Sequence, residues 1–208
     1  MKRIISFRTF EESDIDSFYR WRNDEDLTRM TVGLCRRISK EEITKWVISK
    51  IPHNPYEVYW AVCTNDEEKR LIGYVSLSSI HYINSSAQFG GILIGDPKYQ
   101  GGVAWIQIYQ FVLEYVFERL GLNRLGGRAI TEHPQTLSMM KALFFEKEGV
   151  EREAVYKNGR YYDVQTHALL KRDYFAHKNN GEYEFSSILK RIAEHSLDKG
   201  NDGEASSK

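Results

Sequence analysis

The chain has 208 residues, with 29 basic and 29 acidic side chains and a formal net charge of zero. That length suits one domain with an appendage, and 41% apolar with 13% aromatic residues suffices for a sizeable core. The balanced charge, without a basic pole, argues against a nucleic-acid partner, and no apolar run approaches the ~18 residues of a membrane span.

The N-terminal "MKRIISFRTFEESD" carries basic residues but lacks the apolar stretch of a signal peptide. Its "RIISFRTF" reads as a first strand. "SDIDSFYRWRND" follows as a helix, with Ser13 and Asp16 as a capping-box-like start and Ile15, Phe18 and Tyr19 as the apolar stripe. "ISKEEITKWVISKI" is a second helix, capped by Ser39 and Glu42, with Ile38 stapled onto Ile43. The period then changes to that of strands: "YEVYWAVCT", "RLIGYVSLSSI" and "AQFGGILIG" form an antiparallel meander. Gly90 and Gly91 inside the third of these imply a bulge or the close approach of another backbone. "AWIQIYQFVLEYVFERLGL" repeats apolar residues at helical spacing and ends at Gly121, "NRLGGRAI" is a short strand, and "PQTLSMMKALFF" is a helix opened by Pro134. "AVYKNGRYYDVQTHALL" is a hairpin around Asn158-Gly159.

This order predicts a mixed α/β sheet with helices on both faces, over residues 1–175. Residues 176–208 read as an extension. An amphipathic helix over about 183–195 carries Phe185, Ile188, Leu189 and Ile192 on one face, which needs cover from the domain or from a second copy in a homodimer. The polar "LDKGNDGEASSK" then reads as disordered. Cys35 and Cys63 lie far apart and the histidines are scattered, so no metal site is expected and the thiols read as reduced, in a cytoplasmic protein.

The chemistry concentrates in "GDPKYQGGVAW", Gly95 to Trp105. A glycine-containing loop between strand and helix presents backbone N–H groups at a helix N-terminus, a natural diphosphate cradle. No Gly-Lys-Ser/Thr follows, so it is not a Walker loop, and after a meander it is not a dinucleotide fingerprint.

Together, "RLIGYVSLSSIHYINSSAQFGGILIGDPKYQGG" and "YKNGRYYDVQTHALLKRDY" resemble the GNAT superfamily of acetyl-CoA-dependent N-acetyltransferases. The resemblance is to the branch with ribosomal-protein-alanine, spermidine and amino-sugar enzymes, and covers about residues 3–174. It implies a centrally splayed sheet with acetyl-CoA in the gap. The backbone of Ile92, Leu93 and Ile94 would hold the pantetheine arm, and Gln100, Gly101, Gly102, Val103 and Ala104 the diphosphate. His133 and Thr136 stand where the family has Asn and Ser. Trp21, Arg22 and Asn23 would line the acceptor pocket, faced by Gln88 and Phe89 and closed by Tyr162.

The acceptor implied is the primary amine of a small metabolite, such as an amino sugar, or of a peptide N-terminus. Polyamine enzymes similar in this segment carry Glu where Gln88 stands, which argues against a polycation. Glu132, at the end of the strand "RAI", is the candidate general base, with a plain charge near a helix N-terminus as its bland counterpart. Three departures favour the alternative of a catalytically silent GNAT-fold module: Val103 at the family's glycine, Trp105 at its small residue, and Met140 where some members carry a proton-donating Tyr.

Overall fold

The computed structural model describes residues 2–33 and 36–201, with 195–201 as backbone. Cys35, the side chain of His195 and the end of the tail expected to be disordered, 202–208, lie outside the described residues. The strands are β1 (Ile5–Arg8), β2 (Val58–Thr64), β3 (Leu71–His81), β4 (Ser86–Ile94), β5 (Arg124–Ile130), β6 (Glu146–Lys157) and β7 (Arg160–Leu170). The helices are α1 (Ile15–Arg22), α2 (Glu25–Thr28), α3 (Lys40–Lys50), α4 (Gly102–Glu114), α5 (Pro134–Ala142), α6 (Lys171–Asn179) and α7 (Phe185–Asn201).

One seven-stranded sheet runs in the order β1-β2-β3-β4-β5-β7-β6. Every neighbouring pair is antiparallel except β4 and β5, which are parallel and meet only at Ser86–Arg124, Ala87–Leu125 and Gln88–Gly126. Beyond Gln88 the two strands part. The cause is local. Ser76 pairs with Gly91 and Leu77 with Phe89, so Gly90 is an extra residue in β4. Such a bulge bends its strand and adds twist, and it sits just past the last β4–β5 pair.

Strand alternation divides the core. Ala61 and Cys63 face α1 and α3, with Phe10, Phe18, Ile43 and Val47. Val62, Val75 and Leu77 face α4 and α5. The underside of the parted strands is filled: Phe89 stacks on Tyr109 of α4 at 4.9 Å. Met140 of α5 covers Gly127, where a β-carbon would come within 2.8 Å of its methyl group.

Local signals hold where side chain meets backbone directly. Ser39 accepts from the Glu42 amide at 3.1 Å while Glu42 accepts from the Ser39 amide at 3.0 Å. The first helix differs. Asp14, not Ser13, does the capping work: it accepts from the Glu11 amide at 2.9 Å and from both Arg8 terminal nitrogens. Asn158 and Gly159 both take positive φ, +49° and +80°, as a two-residue hairpin turn of the right twist requires.

The chain beyond 176 is helical for longer than its composition suggests. α6 is unanticipated, because "KRDYFAHKN" buries only Tyr174 and shows no clean stripe. α7 runs to Asn201, past the expected end at 195 and into the polar stretch. It docks on its own domain: Ile188 is 0% exposed. Tyr183, just ahead of α7, donates to the Leu143 carbonyl at 3.1 Å, and Arg191 donates to that of Ala142 at 2.8 Å. This contact supports Phe144, held at φ +63° in the turn after α5, a conformation costing about 1–2 kcal/mol for a residue with a β-carbon. The His177 ring stacks on Phe144 at 3.5 Å and the Arg191 guanidinium lies 4.5 Å from its centre.

Replacing Ile188 by Ala should therefore lower unfolding stability by about 2–5 kcal/mol. The fall in urea midpoint measures it; an unchanged midpoint would mean that α7 does not dock as described.

Candidate functional site

The site begins with an edge. From Phe89 to Ile94, β4 pairs with β3 on one side and, among the described residues, with no strand on the β5 side. The side chains of Leu93 and Ile94 are buried and Ile92 packs on the same core, so these residues offer the gap their backbone groups. An extended amide-containing ligand can pair with such an edge as an added strand.

The loop after β4 leads to α4. The Gln100 carboxamide donates to the Ile94 carbonyl at 3.1 Å and so ties the loop to the strand end, rather than reaching outward. Gly101 and Gly102 adopt φ of +93° and +53°, and no heavy atom lies within 4 Å of where their β-carbons would be. No side chain caps α4 and no acid lies in its first turn. The first amides of an uncapped helix and its dipole point at this open space, which suits a diphosphate.

The departures at 103 and 105 leave that cradle intact. Gly102 takes the left-handed conformation, so Val103 is an ordinary helical residue. Trp105 turns inward and packs against the main core, with its indole N–H buried and unpartnered. Met140 is likewise core filling, over Gly127.

On the α1/α3 face, residues 21–33 form a strap across the gap. At one end the Trp21 indole lies flat on Gly95, leaving no room for a β-carbon there. At the other, Met30 and Val32 pack on Ile130, Val155, Tyr162 and Val164, at the ends of β5 and the final hairpin. Lys157, 2% exposed, fastens the strap by donating to the Thr28 carbonyl at 2.8 Å and to the Thr31 hydroxyl at 3.1 Å.

Beneath the strap, the expected acceptor residues separate. Gln88 points to this face, since Ala87 and Phe89 on either side of it face α4. Its carboxamide crosses over Gly126, within 2.5 Å of where a β-carbon would be. Phe89, expected beside it, is turned away onto Tyr109. The guanidinium of Arg22 stacks on Trp46 at 4.1 Å. Asn23 is structural: its amide holds both the N–H and the C=O of Ile38, at 2.8 and 3.0 Å, and the Tyr19 carbonyl. Tyr162 is buried among the hairpin's apolar residues, with Arg160 over its ring.

At the end of β5, Glu132 accepts from Arg160 at 2.6 Å and its side chain is 53% exposed. His133 heads α5 without a capping bond. Burial, and then the charge of Arg29, push its imidazole below the ordinary histidine range, so it is neutral with a lone pair free at pH 7. Thr136 is half-buried on the first turn of α5.

Residues 5–146 match the family described as the acetyltransferase (GNAT) domain. The chain belongs to the GNAT acetyltransferase family. A spermidine N(1)-acetyltransferase of Vibrio cholerae is 26% identical over 174 residues, covering 84% of this chain and 97% of that protein. A putative ribosomal N-acetyltransferase, YdaF of Bacillus subtilis, is 27% identical over 52% of this chain and 58% of its own length. The crystal structure of the Vibrio cholerae spermidine N-acetyltransferase with CoA and spermine superposes with a TM-score of 0.73 at 27% identity, covering 82% of this chain and 98% of the other.

This GNAT chain is an acetyl-CoA-dependent N-acetyltransferase. Its own geometry fits the cosubstrate. The open β4 edge suits the pantetheine amides, and Gly101, Gly102 and the first amides of α4 suit the diphosphate. Nothing in the structure favours a silent module.

Reading the sequence alone missed the strap and Lys157. A lysine beside a hairpin turn reads as solvated, and only the distant residues 28–31 make it internal. It also missed α2, which is a single turn.

A methyl group at Gly102 would enter the open space and strain the turn. Gly102→Ala should cost about 1–2 kcal/mol of stability and weaken acetyl-CoA binding about tenfold or more. Calorimetric titration of acetyl-CoA checks this; undiminished affinity would move the diphosphate elsewhere.

Proposed function

We propose that this acetyltransferase moves the acetyl group directly, without an acyl-enzyme, to the primary amine of a small metabolite or of a peptide N-terminus. The observation that carries the reading is the unpaired edge of β4, opening beside the uncapped amides of α4. The spermidine-acetylating relatives support a small amine as acceptor.

Acetyl-CoA brings the acetyl group as a thioester. The acceptor nitrogen forms a bond to the acetyl carbon as the carbon–sulfur bond breaks. A proton leaves the nitrogen and the departing sulfur gains one. Backbone N–H groups at the Gly90–Gly91 bulge would stabilise the charge developing on the carbonyl oxygen. Proton removal falls to His133, directly or through water, in place of Glu132. Its lone pair is free at neutral pH, whereas Glu132 is engaged by Arg160. The strap closes the acceptor side, with Gln88 beneath it and Arg22 at its α1 end. The reading assigns the enzyme to the cytoplasm, where acetyl-CoA is available.

Two measurements test it. Acetyl-CoA at about 100 times its dissociation constant should add ~2.7 kcal/mol of apparent stability, and an amine panel should release free thiol; absence of either sinks the reading.

The second concerns pH. His133 is depressed in the folded enzyme, so kcat/KM should hold through neutrality and fall on an acid limb below the ordinary value of about 6.5. His133→Gln should abolish that limb and lower the rate by about 100-fold. Glu132→Gln should stay within about fivefold, the worth of an exposed ion pair. The reverse pattern would return the base to Glu132.

A further inference from the structure

We propose that the acceptor amine carries an acidic group, a carboxylate or phosphate, and that Arg22, at the α1 end of the strap, receives it; this rests on the reading that the chain acetylates an amine in this cleft. Arg22 ends α1, next to Trp21, which lies on Gly95 at the end of β4. The residue is half-buried, with its guanidinium stacked on Trp46 at 4.1 Å and close enough to Tyr59 and Tyr74 for its charge to act on both phenols. Tyr74 pairs across the sheet with Leu93, in the segment of β4 that borders the gap. Among the described residues no carboxylate forms an ion pair with Arg22. A half-buried charge held by aromatic faces alone keeps its hydrogen-bonding edge for an anion, which guanidinium geometry matches two-pronged.

The strap itself is mixed in charge, with Arg22 and Arg29 beside the exposed acids Asp24, Glu25 and Asp26. Gln88, the polar side chain that crosses from β4 towards β5 on this face, is neutral. At the far end, Arg160 holds Glu132, and the charge of Arg29 acts on His133. A cationic group would meet the unpaired guanidinium of Arg22, whereas an acid group on the acceptor would meet complementary charge there.

The test compares acceptors of matched shape: glucosamine with glucosamine 6-phosphate, and the dipeptide Ala-Glu with Ala-Gln, with spermidine as the polycation. In the wild-type enzyme the acidic member of at least one pair should have a kcat/KM about 10–100-fold higher, the worth of a charged hydrogen-bonded contact. Arg22→Gln should erase that preference while acetyl-CoA affinity stays the same, and Arg22→Lys should keep part of it. Equal rates within both pairs, a preference that survives Arg22→Gln, or spermidine as the best acceptor would each overturn the proposal. The wild-type comparison needs no variant, so it stands even if Arg22→Gln fails to fold.

A binding arm separates the two levels of inference. Calorimetry of N-acetylglucosamine 6-phosphate against N-acetylglucosamine on the CoA-loaded protein, and of N-acetyl-Ala-Glu against N-acetyl-Ala-Gln, reads charge recognition without turnover. Tighter binding of an acidic product with no thiol release from any amine would remove the catalytic reading and keep the Arg22 site. Turnover without charge discrimination would do the opposite.

Discussion

One extra residue in a strand governs this molecule. Gly90 has no opposite number in β3, so β4 kinks just after its third pair with β5. Parallel strands that would otherwise continue their ladder diverge, and each leaves backbone donors and acceptors facing the gap. Unsatisfied backbone groups are costly when buried, so the opening persists only where water or a ligand can reach it. The same divergence leaves the α4 N-terminus at the rim, with its first amides uncapped. Strand edge and helix end therefore come from one geometric event.

The two faces of the gap are built differently. The α4/α5 face is packed by Tyr109, Met140 and Phe89, so a ligand in the gap rests on a solid apolar floor. The opposite face is roofed by a single strap, anchored by Trp21 on Gly95 and by Lys157 on the Thr28 carbonyl. A buried ammonium is expensive unless its hydrogen bonds are made, which makes Lys157 a specific fastener. The strap is thus fastened at both ends, by Trp21 at the end of β4 and by Lys157 on the final hairpin.

The C-terminal extension stabilises the same region indirectly. α7 covers the end of α5, and Arg191 and His177 hold Phe144 in a left-handed turn that its β-carbon disfavours. α5 in turn carries His133 at its head and Met140 over β5. The position of the candidate base therefore depends on contacts made some fifty residues later in the chain.

Much of this was legible before any coordinates. The meander, the Ser39–Glu42 cap, the Asn158-Gly159 turn and the bulged strand all follow from contacts within a few residues, where local stereochemistry decides. So does the turn into α4, because the glycine pair before it supplies the positive φ it needs without reference to the rest of the chain. What the tertiary structure alone decided involves partners distant in sequence. Asn23 proved to be spent on Ile38, Phe89 faced Tyr109, Glu132 was taken by Arg160, and Trp105 turned inward. In each case the residue type allowed two roles, and the outcome depended on which far-off surface the fold brought within a few ångströms. Lys157 is the clearest instance: on a hairpin it is a solvated charge, and it becomes an internal fastener only because residues 28–31 are folded over it.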